Sequence, residues 1–285
     1  MSEIVNKFGI EYKKPKVFLL NYSGYGVAEY AGRTAYDSFE MSENNEIKDL
    51  NNLIHSKEVN QEKISKQIEY LKTVKESELL NKLVWAYHHE SVIEHISFSF
   101  FVNEIGRGVL QELARHRIAS YTVRSTRYTM SSIINAFNAS ENIGDFNSII
   151  KDINFLIVEG DKKILDIKYI YSSLQNQFDN IGAEEFLNIS ASKEQKYILL
   201  NNECSDPANL FKQLEKAKQK RNVGDPFKHI VTDNWSVDLV MTMNLRSLKN
   251  FINLRDSGAA YFQIQWLAKE ILKTIPEEVL KLIKK

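Results

Sequence analysis

The 285-residue chain sets 37 basic against 37 acidic side chains and is 43% hydrophobic. Zero net charge argues against coating of nucleic acid polymers, which needs a large basic surface, and no run approaches the roughly 18 apolar residues of a membrane span. The single cysteine, Cys204, excludes an internal disulfide framework and suits a reducing, cytoplasmic setting, and MSEIVNKFGIEYKKPK lacks the apolar core of a secretory signal.

In chain order, KVFLLNYS (16–23) predicts an early strand that ends at GYG. From about 58 to 89, Ile64, Ile68, Leu71, Val74, Leu79, Leu80, Leu83, Val84 and Tyr87 recur at helical spacing with one irregularity. HISFSFFV (95–102) alternates, with Ile96, Phe98, Phe100 and Val102 on one side, as a half-buried strand does. Ile105, Val109 and Leu113 recur every four residues and predict a helix over 103–117. Further helical stretches fall at 145–180 and 193–221. SVDLVMTMNL (236–245) alternates again, and helices are expected over about 246–257 and 259–275, with Glu277 and Glu278 opening a solvated tail helix. These elements make an α+β protein dominated by helix.

The segment RHRIASYTVRSTRYT (115–129) carries Arg115, His116, Arg117, Arg124 and Arg127 and no carboxylate, with hydroxyls between the cations. At a helix end such a cluster neutralises the helix dipole, worth about 0.3–1 kcal/mol. So local a cluster in a neutral chain also suits a small anion such as a nucleotide phosphate, which arginine forks match with paired hydrogen bonds. Successive helical side chains turn by about 100°, so three consecutive cations serve one ligand only if the helix ends among them. Otherwise they serve two ligands, or one ligand and a neighbouring subunit. If the chain then runs extended, Ser125 and Arg127 share a face. His88, His89, Glu94 and His95 offer no third ligand at typical metal spacing, so no metal is expected. The aromatic set Tyr121, Tyr128, Tyr261, Phe262 and Trp266 reads mainly as core.

RHR followed by seven residues and serine, with Arg127 two further on, resembles the signature of the flavin-dependent thymidylate synthases. HHESVIEHISFSF is similar to that family's H-x-[ST]-x-x-E-H segment, and NLRSLKNFINLR to its N-x-R-S-L-x-N-F-x-x-L-R segment. AGRTAYDS (31–38) is similar to an early A-R-x-S-Y. The resemblance covers roughly 15–40, 80–130 and 228–275. It implies one domain over 1–285, with a small central, mainly antiparallel sheet and enlarged segments at about 40–75 and 135–225.

It also implies reductive methylation of dUMP at C5, with methylenetetrahydrofolate and NADPH as co-substrates and FAD as cofactor, in a homotetramer whose sites lie between subunits. No cysteine nucleophile is required; cofactor chemistry leaves orientation and charge to the protein. Carried over by position, Arg115, Ser125, Arg127 and Arg255 would bind the nucleotide, with Arg115, Ser125 and Arg255 catalytic. His89, Ser91, Glu94, His116, Arg117, Asn244, Arg246, Asn250 and Leu254 would bind FAD. Asn244 and Arg246 are expected on one polar strand face, and Arg246 and Asn250 on one helix face. The chain departs from the pattern at Glu112 (usually glutamine), Val123 (usually glutamate) and Ala259 (usually histidine), and it lacks a phosphate-binding arginine near Lys228 or His229. Glu112 would repel an anion unless a cation offsets it. The other readings are a paralogue acting on another pyrimidine nucleotide and a non-catalytic flavin- or nucleotide-binding relative.

Overall fold

Alternating apolar side chains build the sheet that carries the site. In the computed structural model, which describes residues 11–153, 158–159, 161–180, 230, 232–233 and 235–284, the strands are β1 (Glu11–Tyr12), β2 (Lys16–Tyr22), β3 (Ser97–Gly106), β4 (Ser120–Val123), β5 (Val158–Glu159) and β6 (Ser236–Asn244). Four of them form one sheet in the order β2-β3-β6-β4, while β1 pairs with β5 separately. β2 and β3 run antiparallel from Lys16 opposite Asn103 to Tyr22 opposite Phe98, with a register shift between Leu19 and Asn21. Ser99 meets Thr242 and Asn103 donates to Asp238, each at 2.8 Å, so β3 and β6 are antiparallel as well. Ile96, Phe98, Phe100 and Val102 are fully buried, with Val237, Leu239, Met241 and Met243 almost so. The architecture is the expected α+β fold, helix-rich around a small antiparallel sheet.

The chain divides into two compact units. The larger part of the sheet belongs to the unit made of 14–103, 111–122 and 238–285. Its helices include Gly26–Tyr36, Asn45–Ile54, Gln61–Tyr70, Leu245–Arg255, Phe262–Leu272 and Glu277–Ile283. Phe39, Ile47, Leu50, Ile64 and Leu71 form one apolar cluster there. Beside it Glu29, fully buried, accepts from Arg33 Nε (3.3 Å), Ser42 Oγ (2.7 Å) and Asn44 Nδ2 (2.6 Å). A buried carboxylate persists only when its oxygens are satisfied in this way, so the arginine of AGRTAYDS is a framework residue. The other unit, 1–13, 104–110 and 123–237, contains helices Thr126–Asn138, Ile143–Ile153 and Asp161–Asn180. They share an aromatic cluster of Phe137, Phe146 and Tyr171 with ring centroids 5.2–6.3 Å apart.

Several expected elements differ. The 58–89 stretch is not one helix: Gln61–Tyr70 is followed by a 3₁₀ turn, then Glu78–Asn81 and a π-helical turn, Lys82–Ala86. Tyr87 is consequently 61% exposed. The predicted helix over 103–117 is in fact strand to Gly106 and a five-residue helix, Val109–Leu113. Ile105, Val109 and Leu113 are buried as the pattern demands, but strand, corner and short helix together satisfy a four-residue spacing. Glu104, at φ +61°, lies in the left-handed region at that corner. The tail helix buries Val279, Leu282 and Ile283, so it is packed rather than solvated. The helical stretch expected at 193–221, with Cys204, and the positions Lys228 and His229 lie outside the described residues.

Candidate functional site

The RHR motif owes its shape to an early helix end. Val109–Leu113 stops before it, and the His116 amide returns to the Leu113 carbonyl at 2.9 Å. The Tyr121 hydroxyl lies 2.9 Å from the Leu113 carbonyl and 3.1 Å from that of His116. Burial raises the Tyr121 pKa, which keeps the phenol a donor. The three residues thus sit on a turn outside any helix, free of the 100° constraint. His116 is 8% exposed, with its ring edge-on to Phe251 at 5.0 Å, whereas the Arg115 side chain is 72% exposed.

Arg255, in the last turn of Leu245–Arg255, anchors this turn from the other side. Its Nε donates to His116 Nε2 (2.9 Å), Nη1 to Glu112 Oε2 (2.5 Å) and Nη2 to the Glu112 carbonyl (3.2 Å). His116 Nε2 is therefore an acceptor, and the ring is neutral with its proton on Nδ1. Burial, then the charges of Arg255 and Arg115, push the His116 pKa down. The Glu112 charge is offset by Arg255 and, at 3.5 Å, by Arg115.

Two cavities adjoin here. One, of about 520 Å³, is lined by Glu90, Glu94, Ile118, Asn244, Arg246, Ser247, Lys249, Asn250 and Asn253. The other, of about 230 Å³, is lined by Arg115, His116, Arg117 and three residues shared with the first: Ile118, Ser247 and Asn250. Asn244 caps the helix, its side chain accepting from the Ser247 amide at 2.8 Å, a contact worth about 1 kcal/mol. Arg246, Asn250 and Asn253 then follow at helical spacing on the cavity side, while Leu245, Leu248, Phe251 and Ile252 are buried. Arg246 belongs to this helix rather than to a strand face shared with Asn244, because the strand ends at the cap.

Of the expected flavin residues, Glu94, His116, Arg117, Asn244, Arg246 and Asn250 line these cavities. His89, Ser91 and Leu254 do not: each is exposed, His89 following the turn at His88 (φ +56°) and Leu254, one turn beyond Asn250, being 54% exposed. Of the nucleotide residues, Arg115 and Arg255 lie in this unit. Ser125 lies in the other, where a cavity of about 280 Å³ is lined by Arg107, Leu110, Val123, Arg124, Ser125, Thr126 and Val237. There Arg107 Nη1 donates to buried Thr126 at 2.7 Å. A helix begins at Thr126, so Ser125 and Arg127 do not share an extended face; the Arg127 side chain lies outside the described residues. Sequence reasoning missed Glu90, Ile118, Ser247, Lys249 and Asn253. The 3.6-residue spacing from Arg246 would have found Lys249 and Asn253. No group of three or more His, Cys, Asp or Glu side chains arranged to hold a metal ion occurs among the described residues.

Fold and site together define a mixed α+β protein with polar, charge-lined cavities between a cationic turn and a capped helix. The family model described as "Thymidylate synthase complementing protein" matches residues 19–279, and the chain belongs to that family. It is 28% identical over 204 residues to the flavin-dependent thymidylate synthase of Campylobacter jejuni strain RM1221, covering 72% of this chain and 77% of that protein. It is 25% identical over 267 residues to the enzyme of the same name from Wolinella succinogenes, covering 92% and 94%. The crystal structure of thymidylate synthase X from Helicobacter pylori with FAD and dUMP has the same fold: TM-score 0.56 and 22% identity, over 95% of this chain and 97% of that one.

Proposed function

We propose that this chain is an FAD-dependent thymidylate synthase. It methylates dUMP at C5 with the one-carbon unit of methylenetetrahydrofolate and a hydride from reduced FAD, which NADPH regenerates. The observation that carries this reading is the convergence of six motif residues, separated by as many as 156 positions in sequence, on two adjoining cavities: Glu94, His116, Arg117, Asn244, Arg246 and Asn250. The flavin supplies the hydride chemistry when bound. The chain's residues orient and balance charge. Asn244, Asn250 and Ser247 offer amide and hydroxyl contacts, Arg246 and Arg117 meet anionic groups, and Arg115, Arg255, Ser125 and Arg127 are assigned to the nucleotide by the family pattern.

Glu112 keeps Arg255 and the neutral His116 ring in fixed orientation. The relatives named flavin-dependent thymidylate synthase support the reaction, and the Helicobacter pylori structure with FAD and dUMP supports the choice of cofactor and substrate. In this reading the chain works as one catalytic domain over 1–285, enlarged at about 40–75 and 135–225. It acts in the cytoplasm as a homotetramer, and His89, Ser91 and Leu254 reach the flavin only in the assembled or liganded protein. No helix among the described residues is long and apolar enough to cross a membrane.

The test is direct. Purified protein should bind FAD with a yellow flavin spectrum and should oxidise NADPH in a manner that depends on both dUMP and methylenetetrahydrofolate, releasing dTMP. A colourless protein that takes up no FAD would defeat the reading, as would NADPH oxidation without dTMP.

A further inference from the structure

The larger cavity holds a line of alternating charge, of which the family motifs leave Lys249 and Glu90 unassigned. Lys249 is buried at 8% exposure on a helix that otherwise turns carbon inward. Its Nζ donates to Glu90 Oε1 at 2.5 Å and sits 4.0 Å from the centre of the Trp85 ring. Trp85 is itself tied, its indole N–H donating to the Lys281 carbonyl at 3.2 Å. The other oxygen of Glu90 lies 3.9 Å from Arg246 Nε, beyond hydrogen-bond reach, while Arg246 Nη1 donates to Glu94 at 2.5 Å. Glu90 therefore stands between two cations and is held by the buried one.

Without Lys249 the four charges of this cavity fall from neutral to one net negative. Glu90 would then be drawn to Arg246, clamping that guanidinium between two carboxylates. A cavity in that state repels an anionic ligand. With Lys249 in place Glu90 is neutralised on the side away from Arg246, and the arginine keeps donor capacity for the ligand.

We propose that Lys249 is a positioning residue for the flavin nucleotide: seated over Trp85, it holds Glu90 and leaves Arg246 open to the anionic diphosphate of FAD. The inference rests on the flavin reading of this cavity, and the experiment separates the two. FAD is titrated into full-length wild-type protein, Lys249→Met, Glu90→Gln and the double variant, followed by quenching of flavin fluorescence. Lys249→Met should raise the Kd for FAD about tenfold and Glu90→Gln should lower it about threefold. The double variant should recover at least fivefold over Lys249→Met alone, although it has lost a further native contact.

A Lys249→Met protein that binds FAD like wild type overturns the proposal. So does weaker binding by Glu90→Gln. A double variant as weak as Lys249→Met also overturns it, because the lysine would then act on the ligand directly or only on stability. Wild-type protein that fails to bind FAD defeats the flavin reading itself, and the proposal with it.

Discussion

Two arginine-bearing regions of this chain line their cavities differently. In the unit holding most of the sheet, three cations beside the cavities have internal counter-ions: Arg255 with Glu112, Arg246 with Glu94, Lys249 with Glu90. In the other unit, the cavity lined by Arg107, Arg124, Ser125 and Thr126 has no carboxylate among its described lining residues. Arg107 is steadied there by a neutral hydroxyl. A paired cavity has its cations oriented before any ligand arrives and suits a large, mixed ligand such as a dinucleotide. A cavity lined by guanidinium and hydroxyl groups offers donors that suit a compact anion such as a phosphate monoester. On the proposed reading, the first lining suits the flavin and the second the phosphate of the nucleotide.

The contrast can be broken most forcefully at Arg255. Arg255→Ala removes the donor to both Glu112 and His116. It should lower dTMP formation at least 100-fold and cost about 2 kcal/mol in urea unfolding, the scale for hydrogen bonds to charged groups. Retained turnover would mean that the paired arginine is only architectural. The next largest effect is expected at Arg127. Arg127→Ala should weaken dUMP binding about tenfold, by calorimetry, which is the loss of one charge-assisted contact, and should leave FAD affinity within about twofold. Equal losses for both ligands would merge the two sites that the comparison separates.

The smallest effect is a pH dependence. Because His116 is held neutral, its folded pKa lies below the ordinary 6.5, and the folded state binds fewer protons than the unfolded chain. Stability from this group is complete above that ordinary value and is lost as the pH falls through it toward the lower folded pKa. Urea melts at pH 5.5 and 7.5 should show wild type losing more stability than His116→Gln over that step. An equal loss in both proteins would remove His116 as the cause.

Much of the framework was legible in the residues. Strict alternation at Ile96–Val102 and Val237–Met243 gave both inner strands, because period two survives whatever packs above it. The end of the first was not legible. Ile105, Val109 and Leu113 satisfy a helix in sequence, yet a left-handed Glu104 and a five-residue helix satisfy the same burial. Nothing local separates the two outcomes. The site divided similarly. Residues placed by helix geometry, Arg246 and Asn250, came together as expected, whereas His89, Ser91 and Leu254 rested on the family pattern alone and face solvent. The burial of Lys249 was not legible, since it depends on Glu90 and Trp85, both more than 150 residues away.

The Tyr121 phenol, which bridges two carbonyls of the cationic turn, has a consequence for how ligands arrive. It closes a loop that begins and ends on the same short stretch of chain, so the turn is stapled by its own sequence rather than moulded by an occupant. Vacant protein should therefore already present the bound outline at 115–117. Little ordering entropy is then owed on association, and encounter need not wait for a rare conformer.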